Sequence, residues 1–210
     1  TETLTVSVTF DDNITVSGSP EIPLTFDTSV GSPSAVYNAG DGSTTLTFDY
    51  SVASGNEDTD GIDLAAAITL SGGTLQDANG NDSALALTTT NFPTVLVDAI
   101  VPTVAIITPA DSSFINIANN SATFTVSGTC SEAGQTVVIK VDGSAAASPS
   151  GMLCDGVNFT GTIDTTGLAE GVRAFTAELT DGGGQTGTST TNNVTKDTIA
   201  PTIAISNPAD

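Results

Sequence analysis

The chain has 210 residues, with 24 Asp and Glu against three basic residues (Lys140, Arg173, Lys196), no His, no Trp and two Cys, for a formal net charge of −21. So acidic a surface gains nothing from displacing phosphate counterions, which excludes nucleic acid and anionic membranes as partners. The lack of His excludes Ser/His/Asp and Cys/His relays and imidazole metal sites, while 38% apolar content is enough for a packed core rather than an acidic disordered segment.

Thr1 opens directly on a strand pattern with no leader before it, as expected of a mature or excised piece of something larger. No run reaches the roughly 18 apolar residues of a membrane span, so no membrane insertion is expected. Leu4, Val6, Val8 and Phe10 alternate with Thr3, Thr5, Ser7 and Thr9, and Asp11-Asp12-Asn13 reads as the turn that ends this run. Leu46, Phe48, Tyr50 and Val52 alternate with Thr45, Thr47, Asp49 and Ser51, and an acidic loop with Asn56, Glu57, Asp58, Asp60 and Asp63 follows. Residues 64–68 and 166–170 are open to a helical turn, the alternative being a crossing loop. The second half resumes the alternation at Ala122, Phe124 and Val126, at Val157, Phe159 and Ile163, and at Phe175, Ala177 and Leu179. A period of two sends alternate side chains to one face of a strand, giving each strand one buried and one Thr-rich wet face. With turn signals roughly every eight to twelve residues and no sustained helical period, the fold class is all-β, built of antiparallel sandwiches.

The most specific feature is an internal repeat. Residues 98–111, DAIVPTVAIITPAD, and residues 197–210, DTIAPTIAISNPAD, match at nine of 14 positions with an offset of 99. About one hundred residues is one sandwich domain, so the chain reads as a tandem. In each copy an acidic residue and a stiffening proline (Pro102, Pro201) precede an apolar first strand. The expected domains are 1–97, 98–196, and an orphan linker and first strand at 197–210. Aligning residues 3–9 with 123–129 places the start of the first domain at its second strand, so that domain is expected to lack its first one.

Further motifs carry a resemblance. The second domain, with its DxIxPT linker, SGTC at residues 127–130, GLAEG at 167–171 and TDGGGQTG at 180–187, resembles the bacterial Ig-like repeats of large surface proteins. The first, with TVSVTFDDNITVSGSP at 5–20, TTLTFDYSVASGNEDTDGI at 44–62 and GGTLQDANGND at 72–82, resembles a second Ig-like or cadherin-like repeat type. The resemblance implies extracellular stalks, adhesins or fibres whose domains act as spacers, often rigidified by calcium at their junctions.

Cys130 and Cys154, 24 residues apart in a chain of secreted character, fall in an Ig-like order at one pole of the second domain; a disulfide is expected, the alternative being two free thiols. Calcium takes six to eight oxygens from carboxylates, amides and carbonyls. In an Ig-like topology Glu57, Asp58 and Asp60, with Asn56 and Asp63, lie at the end of the first domain near Asp98, and Glu132 and Asp181 lie at the facing end of the second. Asp12, Asp77 and Asp82 form an equivalent set for the Asp197 of a preceding unit. The alternative is that these are solvated turn residues, since turns favour Asp, Asn and Gly. Zinc is excluded for want of ligands, and paired carboxylates without Trp make a poor glycosidase, so no enzyme is expected. Lys140 alternates with Val137, Ile139 and Val141 and is expected to point outward, which disfavours an isopeptide.

The reading that emerges is a structural repeat of an extracellular bacterial filament, stalk or adhesin, joined head to tail to adjacent Ig-like domains or to copies of itself. Either the tail begins a covalent third domain, or it completes a neighbouring subunit as a donated strand through Ile199, Pro201, Ile203 and Ile205. A glycan- or ligand-binding adhesive module is the other class considered.

Overall fold

A computed structural model describes residues 2–146 and 151–206. The chain is all-β, and among the described residues no helix is long and apolar enough to cross a membrane. Residues 64–68 and 166–170 are crossing segments rather than helical turns. Two compact units, Thr1–Ile100 and Val101–Asp210, each hold their own core.

The first unit comprises β1 (Thr3–Ser17), β2 (Glu21–Thr25), β3 (Ser34–Ala39), β4 (Ser43–Ser51), β5 (Glu57–Asp58), β6 (Ile62–Leu64), β7 (Thr74–Gln76), β8 (Asn91–Phe92) and β9 (Val97–Asp98). Seven strands run in the order β7-β1-β4-β3-β2-β6-β8, and β5 pairs with β9. Their inward faces enclose Ile14, Ile22, Leu46, Phe48, Ile62 and Leu75. Because Val97 and Asp98 form β9, and the Ala99 N–H donates to the Asn56 carbonyl, this unit extends through Ile100 rather than ending at residue 97. The expected turn at residues 11–13 is instead a shift of register within β1: Thr9 pairs Thr45, the next pair is Ile14 with Ser43, and the strand continues to Ser17. A polar insertion of this kind bends a strand without ending it, since the apolar period resumes on both sides.

The second unit comprises β10 (Val104–Thr108), β11 (Phe114–Asn116), β12 (Phe124–Cys130), β13 (Thr136–Val141), β14 (Ser144–Ala145), β15 (Met152–Leu153), β16 (Asn158–Ile163), β17 (Gly171–Thr180), β18 (Thr186–Thr188) and β19 (Asn192–Asp197). A three-stranded sheet, β10-β12-β16, lies against a larger one ordered β11-β19-β17-β13-β14, with β15 on β13 and β18 on β17. Val104, Ile106, Val126 and Phe159 from the first sheet meet Val137, Ile139, Phe175, Leu179 and Val194 from the second. Pairing is antiparallel except between β11 and β19. Cys130, the last residue of β12, and Cys154, bridged to Phe159, are both buried and joined in a disulfide with Cα atoms 5.9 Å apart. Closing a loop of separation 24 stabilises the fold by about 3.5 kcal/mol in the chain-entropy account.

Gly128 of β12 is fixed by close approach: a Cβ there would lie 1.9 Å from the Ala105 carbonyl oxygen and 2.6 Å from the Phe159 ring. At this point β10 crosses with a bulge, between the pairs Ile106 with Gly128 and Thr108 with Ser127.

Candidate functional site

One end of the first unit gathers carboxylates. Asp27 follows β2, Asp58 ends β5 and Asp60 lies in the turn to β6; one carboxylate oxygen of each lies within 4.8 Å of the others. This is the only such group of acidic or thiol ligands among the described residues. Local structure aims each side chain. The Thr59 N–H (3.0 Å) and hydroxyl (2.8 Å) both donate to Asp27 Oδ2 and hold its carboxyl below the ordinary 3.8. Asp58 is buried, and its Oδ1 accepts the Gly61 N–H at 2.7 Å. Gly61 takes φ +112°, and a Cβ there would lie 2.2 Å from Pro93 Cα, so only glycine closes this turn. In both Asp27 and Asp58 these bonds hold one carboxylate oxygen in place and so restrain the side chain.

Of the ligands expected from sequence, Asp58 and Asp60 enter this group. Glu57 and Asp98 face each other across the β5–β9 pair. Asn56 is wholly buried and already engaged: its Oδ1 accepts the Val30 N–H at 2.7 Å and its Nδ2 donates to the Tyr50 hydroxyl at 2.6 Å, making it a core pin rather than a ligand. Asp63 accepts from Asn91 Nδ2. Asp27 was not among the expected ligands, because it stands alone in sequence some thirty residues before the acidic loop.

Glu132 and Asp181 belong to the second unit. The Ser131 hydroxyl donates to Glu132, and Asp181 Oδ1 accepts the Gln185 N–H at 2.7 Å. Asp181 Oδ2 is buried with no hydrogen-bond partner among the described residues. Asp77 caps its own turn, accepting the N–H groups of Asn79 and Asn81 and the Asn81 side chain, which lower its pKa; Asp82 accepts from Gln76, and Asp12 from the Asn13 N–H. Asp77 and Asp82 therefore work as turn residues, while Asp12 holds the neighbouring N–H within the register shift of β1. Asp197 Oδ1 accepts the Ile199 N–H.

A second feature is the outer edge of β1. Thr3–Thr9 pairs β4 along one edge, and among the described residues no strand pairs with the other; β7 joins only at Thr15–Ser17. Leu4, Val6, Val8 and Phe10 are only half-buried there, and a groove of about 500 Å³ runs past Val6, Val8, Phe10, Leu85, Leu87 and Phe92. At the other end of the chain, Ile199, Pro201, Ile203 and Ile205 lie outside any strand and are exposed, Ile203 at 94% and Ile205 at 89%. The remainder of the expected orphan strand, residues 207–210, lies outside the described residues.

The third feature is Lys196, buried at 3% exposure in β19. Its Nζ donates to the carbonyls of Thr165 (2.8 Å), Thr166 (3.1 Å) and Leu168 (2.8 Å), tying the crossing loop between β16 and β17 to the last strand. Lys140, by contrast, sits half-buried in an ion pair with Glu178.

No family model and no curated protein matches the chain. Solved structures do. The fibronectin(III)-like modules of Clostridium thermocellum CbhA align at 17% identity over 94% of this chain and 85% of that one, with a TM-score of 0.36. The Ca2+-stabilized adhesin with which an Antarctic bacterium reaches out and binds ice aligns at 17% over 92% and 51%, with a TM-score of 0.36. SGBP-B of the Bacteroides ovatus mixed-linkage glucan utilization locus, in complex with a mixed-linkage heptasaccharide, aligns at 14% over 93% and 42%, with a TM-score of 0.25. The chain thus spans about half of the adhesin and less than half of the glucan-binding protein, and at these identities the likeness concerns fold alone.

Proposed function

We propose that this chain is a structural repeat segment of an extracellular bacterial stalk, filament or adhesin, joined head to tail to further Ig-like domains or to copies of itself, with a spacing role and no catalysis. The observation that carries this reading is the tandem itself: two β-only units with separate cores, and one linker and first-strand sequence recurring at residues 98–111 and 197–210. Independent units in series suit a spacer because each adds length without altering its neighbour's packing. The disulfide supports an oxidising, extracytoplasmic setting.

Asp27, Asp58 and Asp60 fit a hard cation such as calcium, offering three converging carboxylate oxygens to which backbone carbonyls and water can be added. When bound, calcium would supply charge neutralisation at this end of the unit. Sugar binding is less well served, because Phe114 is the one exposed aromatic ring while Tyr37 and Tyr50 pack against Phe48 and Phe26.

Pulling the chain by its ends in an atomic-force microscope tests the load-bearing role. Two separate unfolding events are expected. At roughly 3.5 Å per extended residue the first unit releases about 350 Å and the second, whose strands run from Val104 to Asp197, about 250 Å, because the disulfide hides its loop of separation 24; reduction restores about 85 Å. Gradual yielding without distinct events would contradict a spacer of independent sandwiches, and saturable binding to a glycan panel would favour an adhesive module instead.

A further inference from the structure

The second unit shows how a first strand seats on a second. β10 pairs antiparallel with β12, setting Val104 opposite Cys130, Ala105 opposite Thr129 and Ile106 opposite Gly128, and Val104 and Ile106 enter the core. β1 corresponds to β12 in sequence and in pairing. Leu4, Val6 and Val8 face Tyr50, Phe48 and Leu46 of β4, as Phe124, Val126 and Gly128 face Ile163, Gly161 and Phe159 of β16. The edge that β12 gives to β10 is the edge that β1 leaves without a strand. Residues 202–205, TIAI, repeat the TVAI of residues 103–106, and their two isoleucines stand in solvent. The β12 edge is already filled by its own β10, so the edge that matches this segment is that of β1.

We propose that residues 202–206 of a second copy add as an antiparallel strand to the free edge of β1, with Ile203 opposite Phe10 and Ile205 opposite Val8. This rests on the head-to-tail reading above and supplies its partner and its register. Strand addition pairs main-chain donors and acceptors that both edges now leave without strand partners, while alternate side chains fill the adjoining pocket. In this register both isoleucines fall on the inner face with Val8 and Phe10, above the groove that Leu85, Leu87 and Phe92 line, and Ala204 faces outward as the partner of Thr9. Pro201, which has no N–H to give, precedes the added strand as Pro102 precedes β10. Val8 stands where β12 has Gly128, so the added strand passes β1 without the close crossing and bulge that β10 makes there. The contact is heterologous: each pairing uses one copy's tail and the other's groove and leaves the assembly one free tail and one free groove, so it propagates into linear chains.

The test is hydrogen exchange with sedimentation velocity on the 210-residue chain across a concentration series, beside the variant I203D/I205D, whose changes fall on exposed positions. Expected are species that grow with concentration and exchange at residues 3–10 slowed about tenfold or more in the assembled fraction, both lost in the variant. A peptide of residues 198–206 added to the variant should restore the protection without growth in size. Three results would overturn the proposal: a chain that stays monomeric with residues 3–10 unprotected even under excess peptide, protection at every concentration in a monomer, or assembly that persists in I203D/I205D. Pulling reports on each unit's own folding, so failure here leaves the spacer reading standing and failure there does not decide this contact.

Discussion

Replacing Lys196 by Met is a stringent probe of the second unit. Methionine keeps most of the apolar stem in its slot and removes the ammonium, so the carbonyls of Thr165, Thr166 and Leu168 lose their donor together. Thr165 is buried, and its carbonyl finds no water to replace the lost bond, at a cost of about 1–3 kcal/mol. Thr166 is exposed and Leu168 half-buried, so their carbonyls recover much of the loss by hydration, at about 0.5 kcal/mol each. The buried ammonium also paid for its own desolvation, and removing it returns part of that cost. The net expectation is a loss of about 2–3 kcal/mol, or roughly 10–20 °C in melting temperature for a unit of this size. Differential scanning calorimetry should show the second unit's transition lowered and the first unit's unchanged. A K196M chain within about 0.5 kcal/mol of wild type would refute the reasoning, by showing that the loop holds its carbonyls without the lysine.

Other outcomes follow from the acidic groups. If Asp27, Asp58 and Asp60 hold calcium at the roughly 0.1–1 mM affinities of extracellular modules, 10 mM calcium stabilises the first unit by about 1.4–2.7 kcal/mol relative to EDTA, and D27N/D60N removes the difference. Identical melting in calcium and in EDTA counts against that site. Asp27, Asp77, Asp155, Asp164 and Glu170 are all held below their ordinary values of 3.8 and 4.5, chiefly by hydrogen bonds from Thr59, Asn81, Asn158, Thr166 and Thr198 respectively. Groups depressed on folding contribute fully above their unfolded values, and the contribution fades as pH falls through the folded ones. Urea midpoints should therefore hold level from pH 7 to about 5 and fall below about 4; midpoints that climb steadily from pH 5 to pH 3 would contradict this.

Strand identity was legible because a half-buried strand must alternate, and most of the residues that alternate in sequence meet in or pack against the two cores, Ala122 and the exposed Val157 excepted. The disulfide was legible because two cysteines allow one pairing. Asp27 was not legible as a ligand, since only the packing of the loop after β2 against the turn at residues 58–61 brings it to Asp58. Lys196 gave no sign either. Beside Asp197, near the linker, it reads as a solvated charge, and its burial depends on a loop of carbonyls some thirty residues upstream. The continuity of β1 through Asp11-Asp12-Asn13 was hidden for a related reason: three polar residues have the composition of a turn whether the chain reverses there or only shifts register.

The parallel pairing of β11 with β19 bears on how force enters the second unit. Phe114, Ile115 and Asn116 lie beside Thr195, Lys196 and Asp197, the last residues before the chain leaves the sheet. Tension drawing the chain out beyond Asp197, against an anchor upstream of β11, pulls two parallel strands past each other along their length. The bonds between them are then loaded in shear, all at once, instead of being peeled open one by one. Lys196 sits in the middle of that short ladder, so the cation that ties down the crossing loop also belongs to the ladder that carries the shear.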